Sequence, residues 1–277
     1  MAFIQLPLAP RWPGDRVSAV LSRKRFLLAC GGLTAAGLGG YARFVAPSRI
    51  EFTHHHAPAG FPSFAQITDL HLHDIGTMHE AIAAELQRKR PAFIVITGDS
   101  IDRRGDLPIL SDFLAMLPAV PKFAVLGNWE YWCRVDKREL ARVYDRSSCR
   151  MLINEAVDHE GAMIVGLDDL VAGKPDLAKA IAITSVASVR MLLAHCPAYR
   201  DQLPRDQAFD IVLSGHTHGG QVRVFGLAPF TPNGSGRYVD GWYRNASPMY
   251  VSRGVGTVAL PVRFQCRPEV AFFDTQA

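Results

Sequence analysis

Five short apolar runs in this 277-residue chain end in the same kinds of residue, and no other feature constrains the fold as tightly. Phe64-Ala65-Gln66-Ile67-Thr68 leads into Asp69-Leu70-His71, and Phe93-Ile94-Val95-Ile96-Thr97 leads into Gly98-Asp99-Ser100-Ile101-Asp102. Phe123-Ala124-Val125-Leu126 leads into Gly127-Asn128-Trp129-Glu130, Val189 to Ala194 into His195, and Ile211 to Ser214 into Gly215-His216-Thr217-His218. Runs of this length bounded by turn residues predict buried strands. Between them, amphipathic stretches predict helices over Met78–Arg90, Leu107–Leu117, Asp136–Tyr144 and about Asp176–Ile183; in the first, Ile82 and Leu86 lie one turn apart. Further strands are expected at Met163–Gly166, around Val212, at Tyr250–Ser252 and at Val270–Phe273. Strands alternating with helices predict an α/β domain. Residues 229–248, rich in Pro, Gly, Ser and Asn, read as a long loop of the kind that often covers a binding site.

An Asp after a strand is usually a turn or helix cap, and one His-x-His is more often solvated than ligating. The repetition changes that reading. Two Asp, one Asn and four His stand at five strand ends, and in α/β sheets ligands collect beyond that edge. A neutral imidazole offers one lone pair and loses little on leaving water, so histidines held close make a divalent-metal site. Carboxylate and imidazole together suit Mn, Fe or Zn, whereas Ca or Mg alone prefers an all-oxygen shell.

The blocks Asp69-x-His71, Gly98-Asp99-x-x-Asp102, Gly127-Asn128-x-Glu130, a lone His195 and Gly215-His216-x-His218 resemble, in order, those of the calcineurin-like metallophosphoesterases. The text around them, Leu192 to Pro197, Gly215 to Gln221, Ser252 to Gly256 and Arg267-Pro268-Glu269, resembles a bacterial membrane-linked, exported branch of that family. The resemblance implies a four-layer α/β/β/α sandwich of two mixed sheets flanked by helices. It further implies that Asp69, His71 and His218 hold one divalent metal, that Asn128, His195 and His216 hold another, and that Asp99 bridges them. A water shared by two such ions becomes acidic enough to attack phosphorus directly. Asp102 is expected to orient a ligand.

One block departs from the family pattern. Trp129 stands where the family usually has a histidine that protonates the leaving group or steadies the transition state, help typically worth ~10²–10⁴-fold. Its absence matters little when the leaving group is a phosphate or an aryl oxide, already stable as an anion. Otherwise another group must give the proton, and His73, two residues past His71, is the nearest candidate. Trp129 itself could stack on substrate or wall a pocket. Arg253, in a glycine-flanked loop, is the best of several arginines for clamping a phosphate. Trp132, Phe230, Trp242 and Tyr243 could rim a lipid-tail site or equally form core, and His54-His55-His56 reads as a polar tract between strands.

Charge separates the ends of the chain. Seven of the 30 Lys/Arg and one of the 26 Asp/Glu lie in residues 1–50, a net +6. The rest carries 23 bases against 25 acids, a net −2 that argues against a non-specific grip on nucleic acid. Ser22-Arg23-Lys24-Arg25-Phe26-Leu27-Leu28 is similar to a twin-arginine export signal with lysine in place of the second arginine. The glycine-containing apolar stretch Phe26–Ala42 is at the lower limit for a membrane helix. Residues 1–49 are therefore expected to direct export or membrane attachment and residues 50–277 to form the catalytic domain, with the cytoplasmic membrane face as the alternative location. Five cysteines show no CxxC or zinc-finger spacing; a Cys133–Cys149 pair is conceivable, and idle thiols are the simpler reading.

The expected function is dinuclear metal-dependent hydrolysis of a phosphodiester or pyrophosphate bond, with a lipid-linked or cell-envelope metabolite as an attractive substrate. Alternatives are a pyrophosphatase acting on a UDP-diacylglucosamine lipid, as one family relative does, and a metal-stabilised scaffold without activity.

Overall fold

Alternation along the strands sorts the apolar side chains into separate layers, and the layers define the architecture. In the computed structural model, which describes residue 34 and residues 36–182, 189–244 and 247–275, Phe93 and Val95 face one core while Ile94 and Ile96 face another. The same switch recurs on the opposite side of the molecule, where Met191 and Leu193 face the first core and Leu192 a third. That is the period of two of a strand covered on both faces.

Two six-stranded mixed sheets result. The first contains β1 (Glu51–His56), β2 (Phe64–Ile67), β3 (Phe93–Thr97), β4 (Lys122–Val125), β5 (Cys149–Met151) and β12 (Glu269–Asp274), in the order β1-β12-β2-β3-β4-β5. The second contains β6 (Glu155–His159), β7 (Ala162–Gly166), β8 (Val189–Leu193), β9 (Ile211–Ser214), β10 (Gly241–Tyr243) and β11 (Met249–Val251), in the order β10-β11-β9-β8-β7-β6. β2 through β5 run parallel, as do β7, β8, β9 and β11, so the carboxyl ends within each set share one edge. The sheets pack face to face through Phe64, Phe93, Phe123, Ile164, Met191 and Leu213. The outer face of the first sheet is covered by α1 (Thr77–Lys89), α2 (Leu107–Met116) and α4 (Lys137–Asp145), through Leu86, Phe113 and Leu140 among others. The outer face of the second is covered by α5 (Leu177–Ile181) and by Tyr199 and Tyr238. The single turn α3 (Asn128–Trp132) follows β4. This is the four-layer sandwich that the resemblance implies.

The helices begin where the sequence places caps. Asp136 accepts from Arg138 N (2.7 Å) and Asp176 from Lys179 N (2.9 Å), each satisfying an orphan donor of a first turn. What the sequence reading misses are the short outer strands. β1 contains the His54–His56 tract, expected between strands, and β10 lies inside the segment read as a loop. An edge strand is half exposed, so its polar residues leave no hydrophobic signal. The expected helix end at Ile183 and most of Phe26–Ala42 lie outside the described residues. Contacts divide the chain at Gly39, and residues 40–277 form one compact unit. Residues 41–48 belong to it because Ala42 and Ala46 are buried and Ala42 O accepts from Arg263 N (2.9 Å). Of residues 1–39, only 34 and 36–39, all helical, are described. No helix among the described residues is long and apolar enough to cross a membrane. Cys133, Cys149, Cys196 and Cys266 are all free thiols.

A buried polar knot ties the sheets beside the apolar contact. Glu269 of β12 accepts from Tyr250 Oη of β11 (2.5 Å), from Thr53 Oγ1 of β1 (2.7 Å) and from Arg253 N (3.0 Å) and Nε (3.2 Å). Burial opposes its ionisation, but Arg253 and the hydroxyl donors outweigh burial and hold the carboxyl below its ordinary 4.5. A depressed acid contributes stability above its unfolded-state value and loses it as pH falls through the folded-state value. Glu269→Gln is therefore expected to cost ~3–5 kcal/mol at neutral pH, because it leaves Arg253 without its buried partner. Urea midpoints of the two proteins should converge as the solution is acidified below the ordinary glutamate range; a gap that stays constant with pH would remove the charge from this account.

Candidate metal centre

The donors at the strand ends meet. Asp69 and His71 follow β2, Asp99 follows β3, Asn128 opens α3 after β4, His195 follows β8, and His216 and His218 follow β9. All seven are buried. Asp69, His71 and His218 bring ligand atoms within 4.8 Å of one another, and Asp99, His195 and His216 do the same. Asn128 Oδ1 joins the second group, 3.3 Å from His195 Nε2.

Backbone strain at these positions is conspicuous. Asp69 (φ 51°), His71 (φ 45°), Asp99 (φ 52°), His216 (φ 72°) and His218 (φ 50°) all adopt the left-handed region that non-glycine residues avoid. Such strain persists only where the surroundings over-determine it, and it concentrates at functional sites. The neighbouring glycines are equally constrained. A Cβ on Gly98, itself at φ 96°, would lie 2.5 Å from His195 Nδ1, and one on Gly215 would strike Thr68 and Asp69. Glycine is the residue that lets the backbone come this close.

Hydrogen bonds on the outer side of the rings fix which nitrogens face inward. His195 Nδ1 lies 2.7 Å from Thr97 O and His216 Nε2 lies 2.7 Å from Asn233 O; a carbonyl only accepts, so these nitrogens carry the protons. His71 Nδ1 is held by the Asp102 carboxylate. The inner nitrogens then face each other, His71 Nε2 to His218 Nε2 at 3.1 Å and His195 Nε2 to His216 Nδ1 at 3.1 Å. At that distance each pair shares a positive charge, either a proton on one ring or a cation that both rings coordinate. Nitrogens bound to one cation at ~2.1 Å come to lie ~3–3.4 Å apart, so the spacing fits shared coordination. His218 Nδ1, buried and without a hydrogen-bond partner among the described residues, leaves its ring orientation to the inner contact alone.

The electrostatics ask for the same thing. Burial disfavours charge on every imidazole here. In His195 the neighbouring Asp99 outweighs burial and drives its pKa well above the ordinary value, and in His71 Asp102 and Asp99 do the same more gently. Burial and the adjoining imidazoles push His216 down, and push His218 well below its ordinary value. Each facing pair thus contains one ring that welcomes a positive charge and one that refuses a proton. A cation shared by the pair satisfies both. Asp99 lies between the pairs, with Oδ2 3.1 Å from His195 Nε2 and 3.8 Å from His71 Nε2, and those rings overcome burial to keep it ionised.

Residues outside the predicted set hold the geometry. Glu130 accepts from Gly127 N (2.9 Å), Asp99 N (3.2 Å) and Ser100 N (2.6 Å), clipping the loop after β3 to the turn after β4. Its place three residues past Gly127, where a capping-box acid stands, was the available signal. Burial and the nearby Asp99 raise its carboxyl to about 7. Asn233, from the segment read as a covering loop, contributes only its carbonyl, which no residue type announces.

The other candidates are distributed differently. Trp129 stands over the site, its ring T-shaped to His71 at 5.8 Å and to Trp132 at 5.4 Å, while its backbone N–H donates to Asp99 Oδ1 (2.8 Å). His73 is not brought to the pocket: its nitrogens face Asp102 and Asp106, each at 3.0 Å. Arg253 is held by the buried Glu269 and by the more exposed Glu51 (3.0 Å), so its charge is already matched by carboxylates of this chain. Trp242 and Tyr243 pack against core residues, whereas Trp132 and Phe230 line a cavity of about 390 Å³ above the metal ligands, together with Trp129, Val222, Pro232 and Val258.

Comparison with known proteins agrees with this site. The profile of the family described as calcineurin-like phosphoesterase matches residues 62–220. The chain is 33% identical to the uncharacterized metallophosphoesterase YkuE of Bacillus subtilis, across 93% of this chain and 98% of that protein. It is 30% identical to the phosphodiesterase YaeI of Escherichia coli, across 92% and 99% respectively. The metallophosphoesterase YkoQ of Bacillus subtilis, also uncharacterized, is 29% identical over 77% of this chain and 85% of its own length.

Because Asp102 fixes the ring of His71 from outside, Asp102→Ala is expected to weaken binding of a divalent ion ~10–100-fold without unfolding the protein. Competition with a chromophoric chelator measures the first and thermal denaturation in chelator the second.

Proposed function

This chain belongs to the calcineurin-like phosphoesterase family and is a metal-dependent phosphoester hydrolase, and from that premise we propose that it cleaves phosphodiester or pyrophosphate bonds whose leaving group departs as a stable anion. The observation that carries the reading is Trp129, which walls the site where the family resemblance leads one to expect an acid.

Asp69, His71 and His218 would hold one divalent cation, Asn128, His195 and His216 a second, and Asp99 would be shared between them. Mn, Fe or Zn matches this mixture of imidazole and oxygen donors. When bound, two such ions supply Lewis-acid charge that neutralises phosphoryl oxygens and makes a water acidic enough to serve as nucleophile. The protein's own groups do the positioning. Thr97 O, Asn233 O and Asp102 keep inner lone pairs free on three rings, and the Trp129 N–H holds Asp99 Oδ1 in register. The Trp129 side chain closes the pocket to water on one side and offers no proton suited to a departing alkoxide. His73 faces two carboxylates instead of the cavity, which supports a reaction that needs little acid assistance.

The apolar cavity wall of Trp129, Trp132, Val222 and Phe230 supports a substrate with a hydrocarbon portion next to its phosphate, hence a lipid-linked or envelope metabolite. The basic residues 1–50 support attachment to, or export across, a membrane.

Hydrolysis of bis-p-nitrophenyl phosphate by Mn-loaded protein is expected, with loss on chelation, and Asp99→Asn or His216→Ala should abolish it while circular dichroism stays native. Trp129→His should accelerate alkyl phosphodiesters far more than aryl ones, by up to the ~10²–10⁴-fold that general acids provide. An equal effect on both substrates would mean that Trp129 does not select the leaving group.

A further inference from the structure

Two loops that form one side of the metal pocket also carry an exposed apolar rim. Residues 220–232 and 256–264 are bound to each other: Gln221 Nε2 donates to Val258 O (3.1 Å) and Leu260 O (2.9 Å), and Arg223 N to Phe264 O (2.9 Å). Beneath them the buried Arg263 guanidinium donates to the carbonyls of Arg253 (3.0 Å), Gly254 (3.1 Å) and Gly256 (2.6 Å), so the second loop is pinned from inside. Val222 and Val258 turn into the cavity. On the outside Phe225 is 95% exposed, Phe230 83%, Leu227 73% and Leu260 67%, and Trp132, from α3 at the same pocket, is 56% exposed. Apolar side chains gathered around a pocket mouth mark an interaction surface, unlike ones scattered singly.

Phe225 is the sharpest case. Val224 and Leu227 exchange backbone hydrogen bonds (3.0 Å each way), closing a two-residue hairpin turn on Phe225 and Gly226. Both turn residues have positive φ, 51° and 80°, a conformation that favours Asn or Gly. A left-handed phenylalanine costs ~1–2 kcal/mol, and here the ring gains no core contact in return. Nothing among the described residues accounts for an aromatic residue at that tip.

We propose that this rim is a docking surface for a phospholipid bilayer, which seats the mouth of the metal pocket on the membrane so that a phosphorylated headgroup enters while its acyl portion stays in the lipid. The proposal rests on the lipid-linked reading given above. Separate side chains projecting from loop tips suit a fluid partner that closes around each, as Trp, Phe and Leu do at membrane interfaces. The chain itself points to a bilayer over another protein. It enters the catalytic unit beside the same rim, where Ala42 O accepts from Arg263 N, three residues from Leu260, and Phe44 and Val45 of that entry segment are exposed too. The sequence preceding Ala42 carries the apolar stretch and five of the seven bases of residues 1–50, which anionic lipid attracts.

The test uses the full metal-loaded chain with phosphatidylethanolamine–phosphatidylglycerol vesicles, with and without brominated acyl chains. Emission added by Phe225→Trp is expected to shift to the blue and to be quenched by brominated lipid. Added emission that brominated vesicles leave unchanged would overturn the proposal, even if the chain sediments with them through residues 1–39. The triple substitution Phe225→Ser, Leu227→Ser, Leu260→Ser is expected to slow hydrolysis of a vesicle-embedded phosphodiester by at least ~10-fold while leaving soluble bis-p-nitrophenyl phosphate turnover unchanged. Equal turnover of both substrates by parent and variant would also overturn it, as would a dimer that the triple substitution dissociates in the absence of quenching, which would assign the rim to a second copy. Failure of the parent to hydrolyse the soluble diester would refute the hydrolase reading instead, and is distinguishable for that reason.

Discussion

The whole site depends on one buried anion. Asp99 is sequestered from water, where a carboxylate is expensive, and remains ionised because His195 and His71 stand 3.1 Å and 3.8 Å from one of its oxygens. Its other oxygen takes the Trp129 N–H. Around it every second contact is determined: Glu130 clips the loop that carries it, and Gly127 makes room for it, since a Cβ there would overlap the Asp99 carboxylate. Remove the positive charge from its surroundings and the same arrangement becomes an uncompensated charge in a close-packed interior. The left-handed backbone at Asp69, His71, Asp99, His216 and His218 shows how far the chain is bent to keep these groups together.

Much of this was written plainly in the sequence, for a geometric reason. Parallel strands end at a common edge, which gathers the residues at 69, 99 and 128 in one sheet and those at 195 and 216 in the other, and the face-to-face packing of the sheets brings the two edges together. The core was legible for the same reason, because buried strands announce themselves by unbroken apolar text. Polar outer strands such as β1 and β10 do not. The carbonyls of Thr97 and Asn233 were equally invisible, since every residue has one. Arg253 is a different case. Its glycine-flanked loop suggested a phosphate clamp, whereas in the structure Gly254 passes close over Asp69 and the guanidinium is bound to Glu269.

Trp129 carries two separable roles. Its amide donates to Asp99 as any residue's would, so the metal ligands tolerate the side chain that stands there. The indole meanwhile joins Trp132 in the cavity wall, continuous with Val222, Phe230 and Val258. An ionic centre therefore opens into an apolar vestibule, and both properties bear on the same ligand. The substrate class proposed above, with a phosphate at one end and hydrocarbon at the other, would satisfy both.

Each of the two donor groups takes ligands from both sheets: Asp69 and His71 face His218 across the sandwich, and Asp99 faces His195 and His216. A cation in either place would act as a rivet through the interface between the layers, beside the aromatic contact that otherwise joins them. Catalytic loading and cohesion between the layers would then be linked, since spreading the sheets would separate the donors of each group.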